Sequence, residues 1–319
     1  MATPRHNAPP SKILVLLNES AGTIQNQGAD SVTAELRSFF AKHGIAASVE
    51  CLPSSKFAKA AKQAGAKAQQ GEADAIVAGG GDGTLRCVAE VLAGTGIPLG
   101  ILPLGTLNHF AKDLRIPLDL EAAVDVIASG RHIAVDVGDA NGSIFLNNSS
   151  IGIYPFMVLD RERLRRKGLQ KWIAMTLAGI RVLRRFPLRT IRVRAEDWTL
   201  PCRTPCLFVG NNEYGLGMFS LGRREHLDRG ELWLYIAKQK SRLALLWFSV
   251  RSLVGLANPM RDLSVFATKV ATIDARRRRL HVALDGEVEI MRLPLHYRIR
   301  GGALHVYAPE APQSPQEKL

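Results

Sequence analysis

Cysteine, aromatic residues and long apolar runs are all scarce in this chain of 319 residues, and each shortage removes a class of protein. The four cysteines (Cys51, Cys87, Cys202, Cys206) are too few to staple a chain of this length with disulfides. Cys202 and Cys206 have no second Cys/His pair at metal-ligand spacing, so free thiols in a reducing cytoplasm are expected, not a zinc site. Aromatics make up 6% of the residues, which leaves few platforms on which bases could stack. No stretch reaches the roughly 18 uninterrupted apolar residues of a membrane-spanning helix. The opening MATPRHNAPPSK is polar and Pro-rich, and Ile13–Leu17 is too short for a signal-peptide core. Acids are short as well: 29 Asp+Glu face 42 Lys+Arg, a net charge of +13. That excess favours a polyanionic partner, and the dearth of aromatics favours an anionic membrane surface over nucleic acid. The expected location is cytoplasmic, peripherally on the inner face of the membrane. The sequence leaves a homodimer open.

The length suits two domains, and the pattern changes part-way along the chain. In the first part short apolar runs alternate with helical stretches. Lys12–Asn18, Ile45–Cys51, Ala73–Ala78 and Pro98–Leu102 read as strands. Asp30–His43, Lys56–Gln70, Leu85–Leu92 and Leu107–Leu114 read as helices. Strands separated by helices imply an α/β fold with a parallel, three-layer sheet. From about His132 the segments become short and β-like: Ile133–Val137, Ile144–Asn148, Thr190–Ala195, Cys206–Gly210, Leu232–Ile236, Leu280–Leu284, Tyr297–Arg300 and Ala303–Tyr307. Asn141-Gly142, Asp285-Gly286 and Gly301-Gly302 mark turns between them. A second, mostly antiparallel domain is therefore expected over 132–309, after an α/β domain over 1–131 to which the last strands, near 295–308, are free to return. Helical spacing interrupts it over 160–189 and again over Arg242–Leu256, and a disordered tail is expected from 310 to 319.

The chemistry-bearing stretch is Ala78–Leu85, AGGGDGTL, which follows a strand and opens a helix. Consecutive glycines let backbone approach a phosphate, and N–H groups at a helix start point at the anion. Thr84 adds a hydroxyl donor. Asp82 beside phosphates is repulsive unless it holds a divalent cation or takes a proton from a nucleophile, and no structural task is foreseen for it. The stretch lacks the Lys-Ser/Thr ending of a P-loop and does not fit G-x-G-x-x-G. Leu102–Phe110 (LPLGTLNHF) repeats the strand–loop–helix context with Gly105, Thr106 and Asn108. Asn18–Thr23 (NESAGT) supplies Asn18, Ser20 and Gly22. Three such loops at the carboxyl ends of parallel strands are expected to share one crevice.

With NESAG (18–22), GGDGTL (80–85), PLGTLNHFAKDL (103–114) and DGE (285–287), the chain resembles the diacylglycerol kinase catalytic-domain family, which includes bacterial lipid kinases and sphingosine kinases. The likeness runs from about Lys12 to Pro309. GGDGT occurs in the related NAD kinases and phosphofructokinases too, whereas PLGTLNHFA has the lipid-kinase form. The resemblance implies a nucleotide domain of the NAD kinase and phosphofructokinase type, a C-terminal β-sandwich domain, and an active site between them. It implies ATP bound by the GGDGT stretch (Gly80, Gly81, Asp82, Gly83, Thr84) and Thr106; the loop chemistry adds Asn18, Ser20, Gly22, Leu85, Gly105 and Asn108 to the expected ATP contacts, and Asp285 is placed with them. It also implies magnesium with ATP at Asp82, and Glu287 as general base, a role sphingosine kinases assign largely to the counterpart of Asp82. An alcohol is a poor nucleophile, and a carboxylate that accepts its proton late in the transfer suffices. Diacylglycerol is the default acceptor; sphingoid bases, ceramide and phosphatidylglycerol are not separable by sequence. The rival readings are an NAD-kinase-like activity and a non-catalytic nucleotide- or lipid-binding regulator.

Two further stretches draw expectations. Relatives often carry Asp-Asp-Gly where an Asp helps hold a structural magnesium, but this chain has Asp228-Arg229-Gly230. Arg cannot ligate a cation, which puts that metal in doubt and suggests that the guanidinium replaces its charge. Arg161, Arg163, Arg165, Arg166, Lys167 and Lys171 crowd beside apolar residues, a pattern suited to anionic headgroups. Arg276–Arg279 reads first as a solvated turn between strands, with membrane contact second.

Overall fold

The structure, a computed structural model, describes residues 5–6, 9–166, 188–215, 224–238, 241, 244 and 262–310. The chain forms two compact units, one of Ala2–Val135 with Ala303–Leu319, the other of Asp136–Gly302. The elements of the first unit are β1 (Arg5–His6), β2 (Lys12–Asn18), α1 (Gly22–Gln27), α2 (Ala29–Lys42), β3 (Ala46–Leu52), α3 (Ser54–Gln69), β4 (Ala75–Gly80), α4 (Asp82–Leu92), β5 (Leu99–Pro103), α5 (His109–Asp113) and α6 (Leu120–Ala128). Strand β6 (Arg131–Ala140) carries the chain into the second unit, which continues with β7 (Ser143–Phe145), β8 (Asn148–Gly152), α7 (Ile153–Arg166), β9 (Arg189–Ala195), β10 (Thr199–Thr204), β11 (Cys206–Asn211), β12 (Leu232–Ala237), β13 (Leu263–Thr268), β14 (Val270–Ala275), β15 (Arg279–Leu284) and β16 (Glu287–Arg292). Strand β17 (Leu295–Tyr307) brings it back.

In the first unit the strands run parallel in the order β3-β2-β4-β5, and the end of β17 adds to β5 through Val306 and Leu99. Every residue of β4 and β5 is buried, as expected of strands covered on both faces, which read as continuous apolar runs. Helix α2 packs on α6, and α3 on α4. Right-handed crossovers run outward from β2 to β3 and back past β2 to β4, so these helix pairs lie on opposite faces. The strand order reverses at β2, and the loops after β2 and β4 diverge there. That is where open α/β sheets bind ligands.

The second unit is a β-sandwich. One layer has the order β10-β9-β14-β17, using the first half of β17, and the other β13-β12-β11-β8-β15-β16, all antiparallel. Inward residues from both layers, among them Val193, Ile273, Leu234 and Val282, make a common core. The fully buried Tyr297 shares a hydrogen bond of 2.9 Å with Ser149 inside it, which answers the cost of burying a phenol. Helix α7 packs on β8, β15 and β16, with Phe156 against His281.

Several elements differ from expectation. Helix α4 starts at Asp82, three residues early, so the end of the glycine stretch is already helical. Helix α5 is only five residues long because Asn108 sits in the left-handed region (φ 50°) before it. Helix α6 went unread, although Asp119 caps it by accepting from the Ala122 N–H at 3.0 Å. Elements α1, β1, β10, β13, β14 and β16 have no counterpart among the expected ones, the expected strand Ile144–Asn148 divides between β7 and the start of β8, and α7 begins at Ile153. Asn141-Gly142 and Asp285-Gly286 do form tight hairpin turns with positive φ at both residues. Gly301-Gly302 does not. It lies inside β17, where the Gly302 N–H donates to the Asp136 carboxylate at 2.8 Å. The helical spacings of 167–187 and 245–256, and the tail from 311, fall outside the described residues.

Candidate active site

In the first unit the loops after β2, β4 and β5 meet. Asn18, at the end of β2, donates from Nδ2 to Thr84 Oγ1 (3.0 Å) in the first turn of α4. Its Oδ1 accepts from the Ser20 N–H and the Ser54 hydroxyl, both at 3.0 Å, and so fixes the turn that follows β2. Thr23 bonds to the Leu104 carbonyl through its N–H and its hydroxyl, tying α1 to the loop after β5. The Gly105 N–H donates to the Gly80 carbonyl (3.2 Å) and joins the other two loops. A Cβ on Gly105 would stand 2.4 Å from Gly81 Cα, so only glycine permits this approach.

The loops leave a particular surface open. No side chain caps the N-terminus of α4 at Gly81, and the first amides of a helix have no intrahelical partner. Eleven residues of helix stand behind them, with the positive end of the dipole at the loop. Ser20 and Thr106 are exposed beside it, while Gly22, Gly81, Asp82 and Gly83 are half-buried. Other nominated residues turn inward. Leu85 is wholly core, Thr84 is 8% exposed under Asn18, and Asn108 (5% exposed) clasps its own loop by donating to the Pro103 and Gly105 carbonyls.

Asp82 has a structural task after all. Its two carboxylate oxygens accept from the N–H groups of His109 (3.2 Å) and Phe110 (3.0 Å), capping α5. Donor and acceptor lie 27 and 28 residues apart, so the sequence alone gave no hint of the pairing.

Three comparisons bear on this arrangement. The family model described as Diacylglycerol kinase catalytic domain matches residues 12–140. A Pseudomonas aeruginosa protein named "Probable lipid kinase YegS-like" is 32% identical over 237 residues, 73% of this chain and 76% of its own length. The chain belongs to the diacylglycerol kinase catalytic-domain family. A diacylglycerol kinase of Mycobacterium tuberculosis is 30% identical to this kinase over 244 residues, covering 74% of this chain and 77% of the relative. The solved structure of a diacylglycerol kinase from Bacillus anthracis superposes with a TM-score of 0.68 over 95% of this chain and 98% of that one, at 19% identity, and so shares the fold.

The kinase's second unit carries the Asp285-Gly286-Glu287 hairpin, and its two carboxylates part company. Asp285 accepts three backbone N–H groups, from Leu146 (2.7 Å), Asn147 (2.8 Å) and Asn148 (3.0 Å). It grips the 146–148 peptide, whereas Glu287 is exposed at the start of β16. Arg224, 4% exposed, holds the same peptide from its carbonyl side, donating to Leu146 O (2.7 Å), Asn211 O (3.0 Å) and Asn147 Oδ1 (2.8 Å). The buried Asn211 adds bonds to Leu146 O and Asp136 O, each 2.8 Å. Anchored this way, the hairpin that presents Glu287 has a fixed base. The only signals in the sequence were the doublets Asn147-Asn148 and Asn211-Asn212, polar pairs at the ends of apolar strands.

Near Asp228, Arg229 forms an ion pair with Glu213 at 2.8 Å, and its N–H donates to Asn212 Oδ1. The Gly230 N–H donates to Asp136 at 2.7 Å, closing the turn through protein groups. Among the described residues no cluster of three metal-ligating side chains occurs, and no helix is long and apolar enough to cross a membrane. Arg161, Arg163, Arg165 and Arg166 fall on α7, while Lys167 and Lys171 lie outside the described residues.

The residues present fit a nucleotide's phosphates. The uncapped first turn of α4 supplies amide donors, and the Gly81–Gly105 approach leaves no side chain over them. For magnesium the loops offer two carboxylates, the exposed Glu19 after β2 and Asp82, of which Asp82 stands at the start of α4 and keeps acceptor capacity beyond the two N–H groups it caps. That suits an ion held mainly by phosphate oxygens and water.

Proposed function

We propose that this kinase uses ATP with magnesium to phosphorylate a lipid hydroxyl, with diacylglycerol, yielding phosphatidic acid, as the default acceptor. The meeting of three small-residue loops at the uncapped start of α4 carries the reading. Bound there, ATP supplies the phosphoryl group. The chain's own part is positioning and charge: the α4 amides face the phosphates, and Ser20 and Thr106 stand beside them as hydroxyl donors. Asp82, fixed by the α5 amides, would help hold the magnesium ion, which would offset the negative charge of the phosphates. Glu287 takes the proton from the acceptor hydroxyl as its oxygen bonds to the γ-phosphorus and the bond to the departing ADP oxygen breaks. Membrane lipid as acceptor, together with the +13 charge, supports peripheral work at the inner face of the membrane.

The test is transfer of labelled phosphate from ATP to a mixed lipid extract, followed by identification of the product. Labelled phosphatidic acid is expected. A labelled sphingoid base, ceramide or phosphatidylglycerol would move the acceptor while keeping the reaction. No labelled lipid from any extract would refute the reading.

A further inference from the structure

One end of the sandwich gathers positive charge that the catalytic reading does not use. Strand pairing places Arg203 opposite Thr190 at the start of β9, and Ala275, the end of β14, opposite Ile191. The turn Arg276–Arg278 therefore emerges beside the start of β9, and Arg279 opens β15 directly opposite Arg292, the last residue of β16. Arg203, Arg276, Arg277, Arg278, Arg279 and Arg292 are all exposed. Among the described residues none of the six guanidinium groups is ion-paired, although Arg194 pairs with Asp274 and Arg298 with Asp139 nearby.

A merely solvated face interleaves its signs; this one works against itself. Like charges directly opposite on neighbouring strands are destabilising, and Arg279 and Arg292 are such a pair. Arg189, lying over the Phe156 ring, is held below the ordinary arginine range by its burial and then by the charge of Arg277. Charges kept at a cost in stability imply a partner that neutralises them.

We propose that this arginine-rich end of the sandwich docks on the anionic headgroups of a phospholipid bilayer. The inference rests on the reading of the chain as a kinase of membrane lipids. Guanidinium groups form bidentate hydrogen bonds with phosphate oxygens, which headgroups present as a dense layer. The exposed apolar side chain beside the cluster is aliphatic: Ile290, 63% exposed, stands two residues before Arg292 on the same side of β16. Among the described residues none of the large exposed apolar side chains at this end is aromatic, whereas binding single-stranded nucleic acid relies on aromatic stacking.

The test uses the full chain and sedimentation with vesicles of phosphatidylglycerol and phosphatidylcholine, against phosphatidylcholine alone. The parent binds the anionic vesicles only, and binding fades as salt shortens the reach of the charges. Replacing all of Arg276, Arg277, Arg278 and Arg279 by Gln lowers the partition coefficient about six-hundredfold, since each basic residue contributes roughly a factor of five. A second variant, Arg203→Gln with Arg292→Gln, loses about twenty-fivefold on the same basis. Both melt at or above the parent temperature, because repulsion is relieved. Parent-like vesicle binding by the fourfold variant overturns the proposal. So does equal binding to neutral vesicles, or salt-sensitive binding of a single-stranded RNA probe without vesicle binding. Turnover of a short-chain lipid in detergent is read separately. Its absence counts against the kinase reading alone, and its persistence in a variant that no longer binds vesicles supports the docking surface.

Discussion

Replacing Asp285 by Asn separates anchoring from catalysis at the Asp285-Gly286-Glu287 hairpin. Asp285 sits at φ 49°, a left-handed conformation that Asn adopts readily, so the substitution leaves the backbone unstrained. What changes is the acceptor set. One amide oxygen can keep the two N–H groups of Asn147 and Asn148, now without a full charge. The new NH2 then faces the Leu146 N–H, which donated to Oδ2 at 2.7 Å, so a charge-assisted bond is lost and two donors confront each other. Hydrogen bonds to charged groups contribute about 1.5–3 kcal/mol, and an unsatisfied donor costs about 1–3 kcal/mol, so a net loss of about 2–4 kcal/mol is expected. For a unit of this size that lowers the melting temperature by roughly 5–15 °C. Thermal unfolding followed by circular dichroism, with lipid phosphorylation measured below the transition, checks both consequences. Asp285→Asn should unfold early yet bind ATP as the parent does wherever it remains folded. A variant that melts with the parent but has lost ATP affinity would refute the argument and make Asp285 a nucleotide ligand.

Glu287→Gln should lower turnover by about a hundredfold or more, the usual contribution of a general base, with ATP affinity and melting temperature unchanged; near-normal turnover shifts the role to Asp82. Asp82→Asn should lose both turnover and about 1–3 kcal/mol of stability, because one of the two α5 amides is left facing an NH2; an unaltered melt contradicts the capping assignment. Arg229→Asp restores the Asp-Asp-Gly pattern, so magnesium should raise the melting temperature of that variant more than of the parent, and equal responses argue against charge replacement by Arg229. Asp74 is held below its ordinary value of 3.8 by the Lys12 N–H, then by the Ser11 hydroxyl and N–H. Because its folded value is depressed, the stability it adds over Asp74→Asn should be complete above pH 3.8 and disappear as pH falls through the folded value; a gap that persists in stronger acid would refute the linkage.

The sequence alone determined the fold class and the local punctuation. Continuous apolar runs such as AIVAGG in β4 can be satisfied only by burial on both faces, and helices between such runs force parallel pairing. Asn141-Gly142 and Asp285-Gly286 carry their turn in their own torsional preferences. The family motifs were legible for the same reason, since each lies within a few consecutive residues.

Tertiary structure decided where each carboxylate points. Asp82 and Asp285 both serve backbone N–H groups left unpaired in distant segments, at 109–110 and 146–148, and local sequence does not encode which amides a fold leaves unsatisfied. Gly301-Gly302 reads as a turn but lies within a strand, because Asp136, more than 160 residues away, takes the Gly302 N–H. Arg224, one basic residue among 42, becomes the buried clasp of the 146–148 peptide only when strands far apart in sequence bring their carbonyl groups to it. Periodicity and torsional preference act over a few residues, whereas satisfaction of buried polar groups is settled by the whole chain at once.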